Sequence, residues 1–124
     1  MKKEYGIVIV SHVPEVAQGI PKLLEQVAKN VSITFAGGTD DNEIGTSANK
    51  IMEAFESNEA KKLLAFYDLG SAKMNLELAM EMSEKKVNLY DTALVEGAYT
   101  AATLLEADVL LKDIEQQLEA LKIK

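Results

Sequence analysis

A chain of 124 residues with 48% hydrophobic and 27% charged side chains has the length and composition of one globular domain. Thirteen lysines and no arginine against twenty acids give a formal charge of -7, which excludes the basic surface that nucleic-acid binding requires. Without cysteine there is no disulfide or thiolate chemistry, and no run approaches the roughly 18 apolar residues of a membrane span. The opening Met-Lys-Lys-Glu makes a poor signal peptide, so the expected location is cytoplasmic.

Residues 4–10 are continuous and rich in β-branched side chains, the pattern of a central strand covered on both faces. His12, the only histidine, follows at once. Pro14 suits a first helical position and Glu15 favours the same end through the helix dipole. Val16, Ile20, Leu23, Leu24 and Val27 mark one apolar stripe of a helix running to about Lys29, which Gly19 and Pro21 should kink or delay.

Val31–Ala36 reads as a second strand, followed by the small polar loop Gly37–Ser47 and a helix carrying Ile51, Met52 and Phe55. Leu63–Tyr67 is a third strand, closed by Asp68-Leu-Gly-Ser71, and Met74, Leu78 and Met82 stripe the next helix. The methionines at 74, 80 and 82 read as packing or interface material. Lys86–Tyr90 is a shorter fourth strand. Glu96-Gly97 starts an alanine-rich helix reaching about Ala107, with Glu96 a helix-start residue. Asp108 is expected to cap a last helix, Val109–Leu121, striped by Leu111, Ile114, Leu118 and Leu121, which covers a sheet edge or seals a dimer.

Strand, loop and helix recur four times, so residues 1–124 are expected to form a single three-layer α/β/α domain with a mainly parallel sheet of at least four strands. Such sheets bind and react at the carboxyl ends of their strands. That rule gathers three segments at one rim: Ser11–Val13, Gly37–Ser47 and Asp68–Ser71. His12 is there either a strand-end residue bonding a carbonyl or a nucleophile near the free N–H groups of a helix start. Asp68 either bonds its own turn or fixes the imidazole tautomer, leaving the second nitrogen to attack. Gly38, Thr39 and Ser71 are candidate phosphate-binding positions, Ser71 doubling as a helix cap. Asp40 and Asp41 are turn residues, or Asp40 forms a capping box with Glu43. No cluster of oxygen ligands accompanies them, so no metal is expected. The Gly-x-Gly-x-x-Gly and Gly-x-x-x-x-Gly-Lys patterns are missing, as is any arginine clamp, so a bound nucleotide is not expected on this chain.

Taken together, Ile7–His12, Ala36–Ser47, Asp68–Ala72 and Leu94–Ala98 resemble the phosphotransfer subunits of the phosphoenolpyruvate-dependent dihydroxyacetone kinases. Those subunits are similar in fold to the IIA domains of the mannose family of the sugar phosphotransferase system. The resemblance spans nearly the whole chain. It implies that His12 takes a phosphoryl group from the phosphocarrier HPr, charged by enzyme I from phosphoenolpyruvate. His12 then passes it to ADP held with magnesium on the partner subunit DhaL, and the ATP formed there phosphorylates dihydroxyacetone on DhaK. This chain itself then binds no cofactor beyond the covalent phosphoryl group. Asp68 falls where mannose-type IIA domains carry the aspartate that supports the histidine, and a homodimer is implied. Val13 stands where serine is common, so no side-chain phosphate contact is expected from it. The chain carries no phosphocarrier or enzyme-I-like domain of its own, so free HPr is the expected donor.

Three rival readings stay open at this point. One is a mannose-family transport domain passing phosphate to a IIB domain, another a receiver-like domain phosphorylated on Asp68, and the third a non-catalytic interaction domain.

Overall fold

The computed structural model describes residues 2–124. Four strands, β1 (Tyr5–Ser11), β2 (Ile33–Gly37), β3 (Lys62–Tyr67) and β4 (Lys86–Tyr90), form one all-parallel sheet in the order β2-β1-β3-β4. Successive residues of a strand point to opposite faces, so each central strand feeds two cores. Ile7 and Ile9 of β1 join Leu64 and Phe66 of β3 under α1 (Pro14–Glu25), α4 (Leu94–Glu106) and α5 (Leu111–Glu119). Val8, Val10, Leu63, Ala65 and Tyr67 meet α2 (Ala48–Ser57) and α3 (Lys73–Met82) on the other side. Each of the Val, Ile, Leu and Phe side chains among these contributes roughly 1.5–3 kcal/mol on burial. The three-layer α/β/α architecture expected from the alternating pattern is the one found.

From β1 the chain turns to β2 on one side and, after α2, crosses to β3 and β4 on the other. The loops leaving β1 and β3 therefore diverge to opposite faces, and a crevice opens between their carboxyl ends. His12 and Asp68 are the residues that follow those two strands.

Several local expectations are corrected. Helix α1 ends at Glu25 rather than near Lys29, because Gln26 and Val27 donate to the carbonyls of Leu23 and Leu24 and tighten the last turn. Pro21 sits inside this helix and is buried with Ala17, Ile20 and Leu24, whereas Val16 and Leu23 of the expected stripe are exposed. Met74, Leu78 and Met82 likewise face outward, and α3 buries Leu76 and Ala79 instead. Small residues can face a sheet closely, and a hydropathy stripe weighted toward large side chains misses them. Asp108 does not cap the last helix. Its φ of 62° and its N–H bond to Leu105 end α4, and α5 begins only at Leu111. Nor do Asp40 and Glu43 form a capping box: Ser47 caps α2 through the Lys50 N–H, and Asp40 accepts from the Ser47 hydroxyl. Helix α5 covers the α4 side of the core through Ile114 and Leu118.

Below the crevice, at the amino end of the sheet, buried Asn58 acts as a polar staple. Its Nδ2 donates to the Ile7 and Ser32 carbonyls and to Thr34 Oγ1, and its Oδ1 accepts from Ala60 N–H. Gly6 makes room for it, since a Cβ there would lie 2.2 Å from Asn58 Oδ1. Gly6→Ala should therefore destabilise the fold by about 1–3 kcal/mol, read from urea denaturation midpoints. An unchanged midpoint would show that Asn58 can move without loss.

Candidate functional site

The crevice is organised around one carboxylate. Asp68 Oδ2 accepts from the Ser11 hydroxyl at 2.8 Å and from the His12 backbone N–H at 2.9 Å. Its Oδ1 lies 2.8 Å from His12 Nδ1 and accepts the Leu69 N–H at 2.7 Å. Burial alone would push this carboxyl's pKa up. The bonds from the His12 amide and ring, the Ser11 hydroxyl and the Leu69 amide outweigh it and hold the pKa below the ordinary aspartate value. An ionised carboxylate only accepts, so Nδ1 must carry a proton. In the neutral ring, Nε2 is then the free lone pair, and the Ser71 hydroxyl sits 2.6 Å from it.

Each part has a local cause. Ser11 is the last residue of β1 and fully buried; its Oγ also accepts the Val13 N–H, which turns the chain from strand into α1. Ser71 comes from a 3-10 turn, Gly70–Ala72, that leads into α3. That turn leaves the amides of Gly70 and Ser71 at its own start. The ring is mostly covered, with 14% of its side chain exposed, while on the segments that hold it Ile44 (71%), Leu69 (59%) and Met74 (76%) are exposed apolar residues. A neighbouring hollow of about 480 Å³, lined by Pro14, Gln18, Phe35 and Lys50, does not include His12.

Of the sequence candidates, His12, Asp68 and Ser71 come together directly. Gly38 has no free amide to offer, and the Thr39 hydroxyl serves its own loop as an acceptor while keeping its O–H to donate. The Gly38 N–H is bonded to the Ser11 carbonyl, and Thr39 Oγ1 accepts the Glu43 N–H inside the loop. Gly38 has a φ of 78° and a Cβ there would lie 2.7 Å from the Pro14 ring, so its role is to let the loop lie against the start of α1. Gly45 N–H then bonds the His12 carbonyl, so the loop buttresses the histidine backbone. Asp41 is exposed, and among the described residues no three His, Asp or Glu side chains are placed to hold a metal ion. Ser11 was the residue missed as a partner for Asp68. Its signal is a small hydroxyl at the inward-facing end of an otherwise apolar strand, directly before the histidine.

A sequence model of the family described as the PTS system fructose IIA component, EIIA-man, matches residues 6–115. The chain is 53% identical over 120 residues to the phosphotransferase subunit DhaM of the PTS-dependent dihydroxyacetone kinase of Lactococcus lactis, covering 97% of this chain and 98% of that one. It is 48% identical to the phosphoryl donor subunit DhaM of the PEP-dependent dihydroxyacetone kinase 1 of Listeria innocua, over the full length of both. A crystal structure of a protein of unknown function superposes with a TM-score of 0.83 at 31% identity, over all of this chain and 98% of the other.

Because the Asp68 pKa is lower folded than unfolded, the unfolded chain binds more protons as the medium turns acidic. The stability this group supplies is complete above the unfolded carboxyl value of about 3.9 and is lost as pH falls through the folded value. Asp68→Asn should lower stability at neutral pH by roughly 1–3 kcal/mol and flatten the acid limb of a urea-midpoint profile below about pH 5. Parallel acid limbs for the two proteins would refute this.

Proposed function

Because the chain belongs to the EIIA-man family and, within it, to the DhaM phosphoryl donor subunits, we propose that it relays phosphoryl groups through His12 to a dihydroxyacetone kinase. The observation that carries this reading is the division of labour on one ring: Nδ1 is bonded to Asp68 while Nε2 points to the Ser71 hydroxyl at the strand-switch crevice.

The mechanism follows from those bonds. Phospho-HPr presents its phosphorus to Nε2, the new N–P bond forms as the donor's N–P bond breaks, and the donor histidine leaves with the electron pair. The Ser71 hydroxyl gives up its bond to nitrogen and donates instead to an equatorial phosphoryl oxygen. On this reading the adjacent Gly70 and Ser71 amides, at the start of the turn, share that charge. As Nε2 becomes substituted the ring turns cationic, and the ionised Asp68 stabilises it through the Nδ1 proton without itself becoming protonated. In the second half the phosphoryl group passes to ADP on DhaL, with magnesium there, and the ATP formed serves dihydroxyacetone on DhaK. The exposed apolar side chains of Ile44, Leu69 and Met74, on the segments that carry the site, suit docking by these proteins in turn.

On this reading the chain is one domain, works in the cytoplasm as a homodimer and holds no nucleotide of its own. No helix among the described residues is long and apolar enough to cross a membrane. A receiver-like role on Asp68 is disfavoured because its two oxygens already accept four bonds. The names of the relatives favour DhaL-bound ADP over a sugar-transport IIB domain as acceptor.

With phosphoenolpyruvate, enzyme I and HPr, the protein should acquire an acid-labile, alkali-stable label that His12→Ala lacks while retaining its circular dichroism spectrum. The labelled protein should discharge onto ADP-loaded DhaL and not onto a mannose-type IIB domain; label on the folded alanine variant would end this reading. Ser71→Ala should slow uptake from phospho-HPr by roughly 10²-fold, in line with loss of one charge-stabilising donor. Stopped-flow or quench-flow uptake at native speed would remove Ser71 from the mechanism.

A further inference from the structure

The far side of the Asp68 backbone is held by a residue from the other end of the sequence. After α5 the chain returns antiparallel beside the end of β4. Ala93 N–H bonds the Leu121 carbonyl, Thr92 bridges Lys122, and the Ile123 and Lys124 amides both donate to the Asp91 carbonyl. This return delivers Lys124 to the carboxyl end of β3. Its ammonium donates to the Tyr67 carbonyl at 2.7 Å and to the Asp68 carbonyl at 3.1 Å, and stands 4.4 Å from the Tyr67 ring centroid.

The strand register explains why these carbonyls need a donor. Pairing of β3 with β4 stops at Phe66 and Tyr90, so Tyr67 and Asp68 lie past its last rung. A second anchor surrounds the same spot. Tyr67 donates its hydroxyl to Asp91 at 2.5 Å, and Lys73, two residues beyond Ser71, donates to the same carboxylate at 3.2 Å. The residues bearing both ring contacts of His12 are thus braced from behind by one polar cluster.

We propose that Lys124 is a positioning residue for the site, fastening the Tyr67–Asp68 carbonyl edge so that the Asp68 carboxylate stays aligned on His12 Nδ1. It touches no reacting atom; it acts through Asp68. The four bonds on the carboxylate fix the side chain only if the backbone beneath it is still. The ammonium supplies that stillness with two charge-assisted bonds, although the residue as a whole is exposed. The kinetic part of the inference rests on the phosphohistidine reading; the alignment part does not.

Lys124→Met, Lys124→Arg and the neighbouring control Ile123→Ala separate positioning from general stability. Two readouts apply: the rate of phosphoryl uptake from phospho-HPr, and the slowly exchanging Nδ1 proton of His12 in the proton NMR spectrum. Lys124→Met should keep its thermal midpoint within about 5 °C of the parent, lose the slowly exchanging proton, and slow uptake about tenfold. Lys124→Arg, which retains charge and paired donors, should stay within about twofold of the parent and keep the resonance; Ile123→Ala should match the parent in both. The proposal is overturned if Lys124→Met is native in both readouts, if arginine rescues neither, or if Ile123→Ala does the same damage. A much larger loss of midpoint in Lys124→Met would assign the residue to stability alone and overturn it too. Should the parent take no label, the phosphocarrier reading fails, and the Nδ1 resonance still decides the role of Lys124.

Discussion

Everything at the working end of this protein depends on a carboxylate that joins two strands which share no turn. Asp68 follows β3, yet its acceptors are filled from the end of β1 by the Ser11 hydroxyl, the His12 amide and the His12 ring. One group therefore closes the top of the central strand pair, sets the direction in which the chain leaves β1, and decides which imidazole nitrogen keeps its proton. The cost of burying a charge there is offset because every donor around it is satisfied by it. Its lowered pKa expresses the same balance.

The topology makes this possible and the core makes it rigid. A sheet ordered β2-β1-β3-β4 brings the ends of β1 and β3 side by side, although 56 residues separate His12 from Asp68. Fully buried residues on both faces of those strands leave no slack for the ends to drift. Loop 37–47 then leans on the histidine backbone from the β2 side, and the Lys50 ammonium locks that loop to the Gly37 carbonyl. On the β4 side the returning tail performs the corresponding task. Two unrelated stretches of chain thus flank a site to which neither contributes a reacting atom.

Much of this was legible in the sequence because parallel α/β folds write their active ends plainly. A continuous apolar strand running into the only histidine, and a second one running into aspartate, glycine and serine, mark strand ends facing one rim. What the sequence could not show was commitment of donors. Gly38 and Thr39 have the chemistry of phosphate ligands, but their backbone amides are consumed in holding their own loop, which only coordinates reveal. Met74, Leu78 and Met82 follow helical spacing as well as any core stripe, yet α3 buries its small residues and leaves the large ones outside. Asp108 has the right residue type for a helix cap and sits instead in the left-handed turn that ends the preceding helix. Lys124 carried no local signal at all, since its partners are carbonyls more than fifty positions away.

The Ser71 hydroxyl also gives the resting molecule a form of latency. At 2.6 Å from Nε2 it occupies the line along which an electrophile would approach, so the uncharged site is shuttered by its own side chain. Any group that is to bond Nε2 must first displace that hydroxyl, so the strength of one hydrogen bond sets how readily the resting ring is reached.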